Sequence, residues 1–231
     1  AWMLTSTLLV LMMTVPGLAL FYGGMTRSKS VLNMMMMCFG ALALIAVIYP
    51  LWGWSMSYGA SIGGIVGNPL DQLGLSGSFD PVTVVDPDTG AAIPTIVDVG
   101  FQTTFAIITV ALIAGAIADR VKFSTWLVFA ALWVTLAYFP MAHMVWGPGG
   151  FLNGFNPDAG IKAIDFAGGT VVHMSSGWSA LALCIILGKR IGFGAKNFAP
   201  HSLTLTMVGT GILWVGWYGF NAGSALAADG I

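Results

Sequence analysis

Six stretches of the chain stay apolar for about the thickness of a bilayer, and polar residues collect in the gaps between them. They run roughly Trp2–Met25, Val31–Tyr58, Ile96–Ala118, Phe123–Ala142, Phe166–Leu187 and Leu203–Ala225. Each is near or above the roughly 20 residues that cross a hydrocarbon core. The runs are continuous and lack the alternation of barrel strands, so helices that satisfy their own backbone are the expected form. The fold class read from this pattern is all-α, a polytopic membrane protein with six transmembrane helices.

The gaps sort by charge. Arg27 and Lys29 follow the first run, Arg120 and Lys122 the third, and Lys189, Arg190 and Lys196 the fifth. If the spans alternate, these loops share one side, and only Lys162 of the eight basic residues lies opposite. Excess Lys and Arg marks the cytoplasmic side, so the N-terminus is expected outside. The opposite side carries two longer segments. Residues 59–95 are rich in Gly, Pro and Asp and read as an extracytoplasmic loop, partly ordered at best. Residues 143–164, "HMVWGPGGFLNGFNPDAGIKAI", hold too much Gly and Pro for a simple helix and suit a loop folding over a pore mouth.

Composition narrows the class. Only 7% of the 231 residues are charged and 57% are hydrophobic, against about 25% charged in soluble domains. Net charge is −1, which leaves no basic surface for nucleic acid. Cys38 and Cys184 both fall inside apolar runs and read as buried free thiols rather than a disulfide. His143, His173 and His201 lack metal-ligand spacing, so no metal and no cofactor is expected. No phosphate loop or catalytic triad can be drawn from the residues present, and nothing points to an enzyme.

Ionisable groups inside a span are costly and usually face the protein interior. His173 is one. Helical spacing puts Gly169, Ser176, Gly177 and Ala180 on its face, which suits either a pore-lining imidazole or a buried one bonded to a neighbouring helix. Asp165 precedes the fifth helix, where it can accept the free N–H groups of the first turn. A negative charge there would also favour cations at an outer vestibule. Phe101 and Phe105 lie one turn apart near the outer end of the third span. Trp146 lies just past the fourth, and Trp217, Phe220 and Ser224 share a face of the sixth. Such a gathering fits an interfacial aromatic belt or an aromatic box for a cation. Trp2, Trp52 and Trp126 fit the belt or packing. Met34–Met37 fits lipid contact or packing, Pro16 a kink, and the Gly219/Gly223 pair a close helix contact.

These stretches together resemble one family. "VPGLALFYGGMTRSKSVLNMMM", "FQTTFAIITVALIAGAIADRVKF", "AHMVWGPGG", "DFAGGTVVHMSSG", "GKRIGFG" and "GWYGFNAGSA" are similar, in order and through nearly all of the chain, to the ammonium transporters (Amt/Mep/Rh), bacterial Amt branch. The resemblance implies a homotrimer in the cell membrane, each subunit with its own narrow pore. It also implies eleven spans, in two five-span repeats of opposite topology plus a last helix. On that plan residues 1–190 are the first repeat and about 203–225 the sixth helix; the second repeat, with the partner of the pore histidine, is not among these residues.

Carried over by position, Phe101, Phe105, Trp146 and Ser224 match the family's outer ammonium site, Phe105 and Phe220 its stacked gate, and His173 the first pore histidine. Asp165 matches a structural and electrostatic aspartate near the outer site. The implied function is ammonium transport. NH₄⁺ (or methylammonium as an analogue) would be captured outside, would lose a proton near the gate, and would cross as NH₃. A sensor that uses the same fold to control a cytoplasmic signalling domain is the alternative. A PII-type protein at the cytoplasmic face is a partner implied by analogy.

Overall fold

The computed structural model describes residues 1–79, 82–86 and 91–228. Asp80, Pro81 and residues 87–90 of the predicted outer loop, and residues 229–231, lie outside the described residues.

Among the described residues, six helices are long and apolar enough to cross a membrane: α1 (Trp2–Met25), α2 (Ser28–Tyr58), α3 (Thr95–Ile117), α4 (Phe123–Trp146), α5 (Gly169–Leu187) and α6 (Leu203–Gly223). The long loop after α2 has some regular structure among its described residues. It carries two antiparallel ribbons, β1 (Ser61–Ile62) with β2 (Val66–Gly67) and β3 (Val82–Asp86) with β4 (Ala91–Pro94). The chain is otherwise mostly helical.

Two predicted ends move. Residues 143–146 belong to α4, not to the following loop, so Trp146 closes the fourth helix. Gly147, extended at φ −69° and ψ 155°, ends it there. α5 starts at Gly169 rather than Phe166, and Asp165 is the reason. Its Oδ1 accepts the backbone N–H groups of Gly168 and Gly169 at 2.6 and 2.9 Å, and its Oδ2 those of Thr170 and Val171 at 2.8 and 3.0 Å. A helix start leaves its first N–H groups without intrahelical acceptors, and one carboxylate takes four donors here. Gly168 precedes the helix at φ +92°, a left-handed conformation that glycine adopts without steric cost.

α3 is the centre of the core. Phe101, Phe105, Ile107, Ile108 and Val110 on it are all essentially buried. α6 packs along α1. A Cβ at Gly219 would strike Leu9, and one at Gly223 would lie 2.7 Å from Ser6 Cβ and 3.0 Å from Phe101 Cε2. The predicted glycine pair therefore does allow a close approach, and it brings the C-terminal half of α6 against α3. α1 breaks at Val15 (φ −136°, ψ 111°), beside Pro16, where the kink was expected.

The basic loops meet at one end of the bundle. Arg27 Nε donates to Asp119 Oδ2 at 2.8 Å, Arg120 Nη1 to the Gly188 carbonyl at 2.8 Å, and His201 Nδ1 lies 2.9 Å from the Thr26 carbonyl. Burial opposes ionisation of Asp119. The Ser30 hydroxyl and the Arg27 guanidinium overcome it and hold the carboxyl below the ordinary carboxylate range.

Trp52 and Trp126 serve packing, with indole N–H bonds to Thr135 Oγ1 (3.2 Å) and the Met37 carbonyl (2.9 Å). In the methionine run, Met34 and Met37 are core and Met36 is exposed. Both cysteines are free. Cys38 is buried as expected, but Cys184 is only half-buried, its Sγ lying 3.5 Å from the Ala116 carbonyl and 3.4 Å from Arg120 Nη2 at the end of α3.

Three outcomes are expected. Gly219→Leu should lower the stability of the complete protein by roughly 2 kcal/mol through overpacking, read as thermal unfolding in detergent; an unmoved midpoint would contradict the close approach. Asp165→Asn should cost about 3 kcal/mol, because an amide cannot accept four N–H groups. Asp119→Asn should destabilise at neutral pH. A depressed carboxylate stabilises above its unfolded pKa of about 3.9 and loses that contribution as pH falls, so the difference from the native protein should shrink on acidification.

Candidate functional site

The aromatic residues predicted to gather do so as a column. Phe105 of α3 and Phe220 of α6 stack with ring centroids 4.1 Å apart and planes 13° from parallel. Phe101 sits one turn earlier on α3, 4.9 Å from Phe105. The Trp146 indole, at the end of α4, meets Phe105 edge-on at 6.0 Å. Phe101, Phe105 and Phe220 are each 1% exposed, so the stack is closed, whereas Trp146 and Ser224 remain half-buried.

His173 continues the column. Its ring lies 5.9 Å from that of Phe220 and 5.7 Å from that of Trp217, nearly parallel to the latter. Trp217 shares its helix face with Phe220 in the sequence pattern. The stacking on His173 was not legible from that pattern, because it depends on how α5 and α6 sit beside each other.

Local structure sets the position of His173. The first turn of α5 is π-helical from Gly169 to Met174, and the His173 N–H bonds to the Gly168 carbonyl, five residues back, at 2.9 Å. The extra residue of a π turn shifts the register of side chains. The face predicted from ordinary spacing therefore divides. Ser176 is buried with its hydroxyl on the Val172 carbonyl, while Gly169 and Gly177 are exposed, with open space beside them.

Asp165 ties both parts together. Its carboxylate caps α5, and its main-chain carbonyl accepts the Trp146 indole N–H at 2.8 Å. Ser224 Oγ donates to the Phe220 carbonyl at 2.8 Å on its own helix. An oxygen so engaged keeps lone pairs for a further donor. Among the described residues no cluster of three or more His, Cys, Asp or Glu could hold a metal ion.

Chemically, an indole ring and a hydroxyl that are both half-exposed, at Trp146 and Ser224, are groups that can attract a cation. The column then presents a tight apolar constriction, followed by an imidazole.

Comparison with known proteins is consistent along the whole chain. The family model described as Ammonium Transporter Family matches residues 1–231. An ammonium transporter of Mycobacterium tuberculosis (strain ATCC 25618 / H37Rv) is 51% identical over 247 aligned residues, covering 100% of this chain and 51% of that protein. The crystal structure of Saccharomyces cerevisiae Mep2 superposes with a TM-score of 0.82 at 31% identity, over 96% of this chain and 49% of that one. A structure titled Sensor Amt Protein gives 0.82 at 28% identity, over 99% and 55%. The chain thus spans about half the length of the relatives it matches. It is a multi-pass membrane protein, and it belongs to the ammonium transporter family, a family of transporters and not of enzymes.

Proposed function

We propose that the complete protein takes up ammonium, capturing NH₄⁺ at the rim formed by Phe101, Phe105, Trp146 and Ser224, releasing its proton to water at that rim, and passing NH₃ between Phe105 and Phe220 and along His173. The observation that carries this reading is the closed, face-to-face Phe105–Phe220 stack with an imidazole next to it.

A bare ammonium ion in such a constriction loses its hydration and gains little in return, a cost of several kcal/mol or more. Ammonia, the deprotonated form of ammonium, carries no such charge. K⁺ has no proton to lose and stays excluded by the same cost. Cation–π attraction at the rim supplies about 0.5–2 kcal/mol toward capture. Beyond the stack, the His173 ring offers both a donor and an acceptor to a small polar solute.

The rest of the reading follows the family plan. The basic end faces the cytoplasm, with the N-terminus outside a cell membrane. Residues 1–190 form the first of two inverted repeats, and the subunit works in a homotrimer with a PII-type protein as a cytoplasmic partner. A second reading, an ammonium sensor, draws support from the equal TM-scores of the Mep2 and Sensor Amt structures. Flux separates the two, because a sensor signals without the transport rate that uptake requires.

In the complete protein, His173→Ala is expected to abolish methylammonium uptake or relax its ion selectivity; unchanged flux and selectivity would remove the pore role. Ser224→Ala and Trp146→Leu should each raise the apparent KM by about five- to tenfold, the equivalent of roughly 1 kcal/mol or slightly more. An unmoved KM in both would mean the rim is wrongly placed.

A further inference from the structure

A second imidazole lies near the rim, outside the path just described. His143 is fully buried on α4, three residues before Trp146. Its Nδ1 is 3.0 Å from the Ser57 carbonyl and its Nε2 2.9 Å from Ser61 Oγ. A carbonyl oxygen only accepts, so Nδ1 carries the proton, and in the neutral ring Nε2 accepts the Ser61 hydroxyl proton. The ring thereby clasps α4 to the end of α2 and to strand β1. The fit is close: a Cβ at Gly147 would lie 2.5 Å from both Nδ1 and the Ser57 carbonyl oxygen.

The far side of the clasp reaches the loop after Trp146. With its one proton given to His143, Ser61 Oγ accepts the Gly64 N–H at 3.2 Å, and the Phe151 N–H donates to the Gly64 carbonyl at 3.1 Å. Asn153, also buried, closes the corner. Its Nδ2 donates to the carbonyls of Trp146 and Gly147 at 3.2 and 3.0 Å, and its Oδ1 accepts the Phe155 N–H at 2.9 Å. The backbone at Trp146 is thus fixed from two independent sides, while its indole N–H is fixed by Asp165.

We propose that His143, through Ser61, and Asn153 are positioning residues for Trp146, setting the depth and tilt of the indole at the rim and so the affinity for an ammonium-sized cation. The proposal rests on the reading that Trp146 faces the captured ion. Attraction to a ring depends on the cation lying over its face within about 6 Å, so a few ångströms of indole movement suffice to lose it. The constriction and His173 lie on α3, α5 and α6, and the rate of passage through them does not depend on this clasp.

The test is methylammonium uptake by the complete protein, with rates normalised to the amount in the membrane. Ser61→Ala and Asn153→Ser are each expected to raise the apparent KM about fivefold, the loss of roughly one hydrogen bond. Vmax per molecule should stay within about twofold, as for an interaction that serves binding and not passage. His143→Asn keeps a donor toward the Ser57 carbonyl but cannot reach Ser61. It should match Ser61→Ala, and the double variant should add nothing further. An unmoved KM, a fall in Vmax alone, or full additivity of His143→Asn and Ser61→Ala would overturn the proposal. Ser61 lies on an exposed ribbon, so its variant carries the test even if His143→Asn fails to fold. Trp146→Leu runs in parallel. A raised KM there, with none in Ser61→Ala and Asn153→Ser, refutes the positioning role alone; no rise in Trp146→Leu removes the rim reading and this proposal with it.

Discussion

The column of rings depends on one carboxylate. A helix start exposes backbone N–H groups that have no intrahelical acceptor, and each one left unsatisfied away from water is costly. Asp165 accepts four of them from Gly168 through Val171. That fixes the start of α5, the left-handed Gly168 before it and the π turn behind it, and so the position of His173 beside Trp217 and Phe220. The carbonyl of the same residue holds the Trp146 indole. The two ends of the candidate path are therefore placed by one residue that need not meet the ion.

The second constraint is the approach of α6. Lipid gives helices little hydrophobic reason to associate, so contact depends on small residues and packing. Gly219 and Gly223 let α6 lie on Leu9 and Ser6 of α1, which sets Phe220 flat against Phe105. A side chain at either glycine would push the rings apart. The constriction is thus made by two aromatic residues but sized by glycines of the same helix, where α6 meets α1 and Phe101.

Much of this was legible in the chain. Span number, the clustering of basic loops, the Pro16 kink, the glycine contact and the convergence of Phe101, Phe105, Trp146 and Phe220 follow from hydropathy and helical spacing. What escaped was local geometry. The end of α4 was placed too early because Gly and Pro after residue 146 lowered the apparent helicity of His143–Trp146, which hydrogen bonds to Ser57, Ser61 and Asn153 hold in place. The face around His173 was drawn with ordinary helical spacing, and the π turn changed it. The individual ribbons of the loop after α2 were not legible, because two- to five-residue strands leave almost no periodic signal in a Gly-rich segment.

The central claim is that the Phe105–Phe220 stack passes a neutral molecule and refuses a bare ion. The most direct measurement compares ammonium and potassium entry into liposomes holding the complete protein, at equal concentration and against protein-free liposomes. Saturable ammonium entry with potassium at the protein-free level is the predicted result. Potassium entering at a comparable rate would contradict it, because an ion that cannot shed its charge would then be crossing the stack.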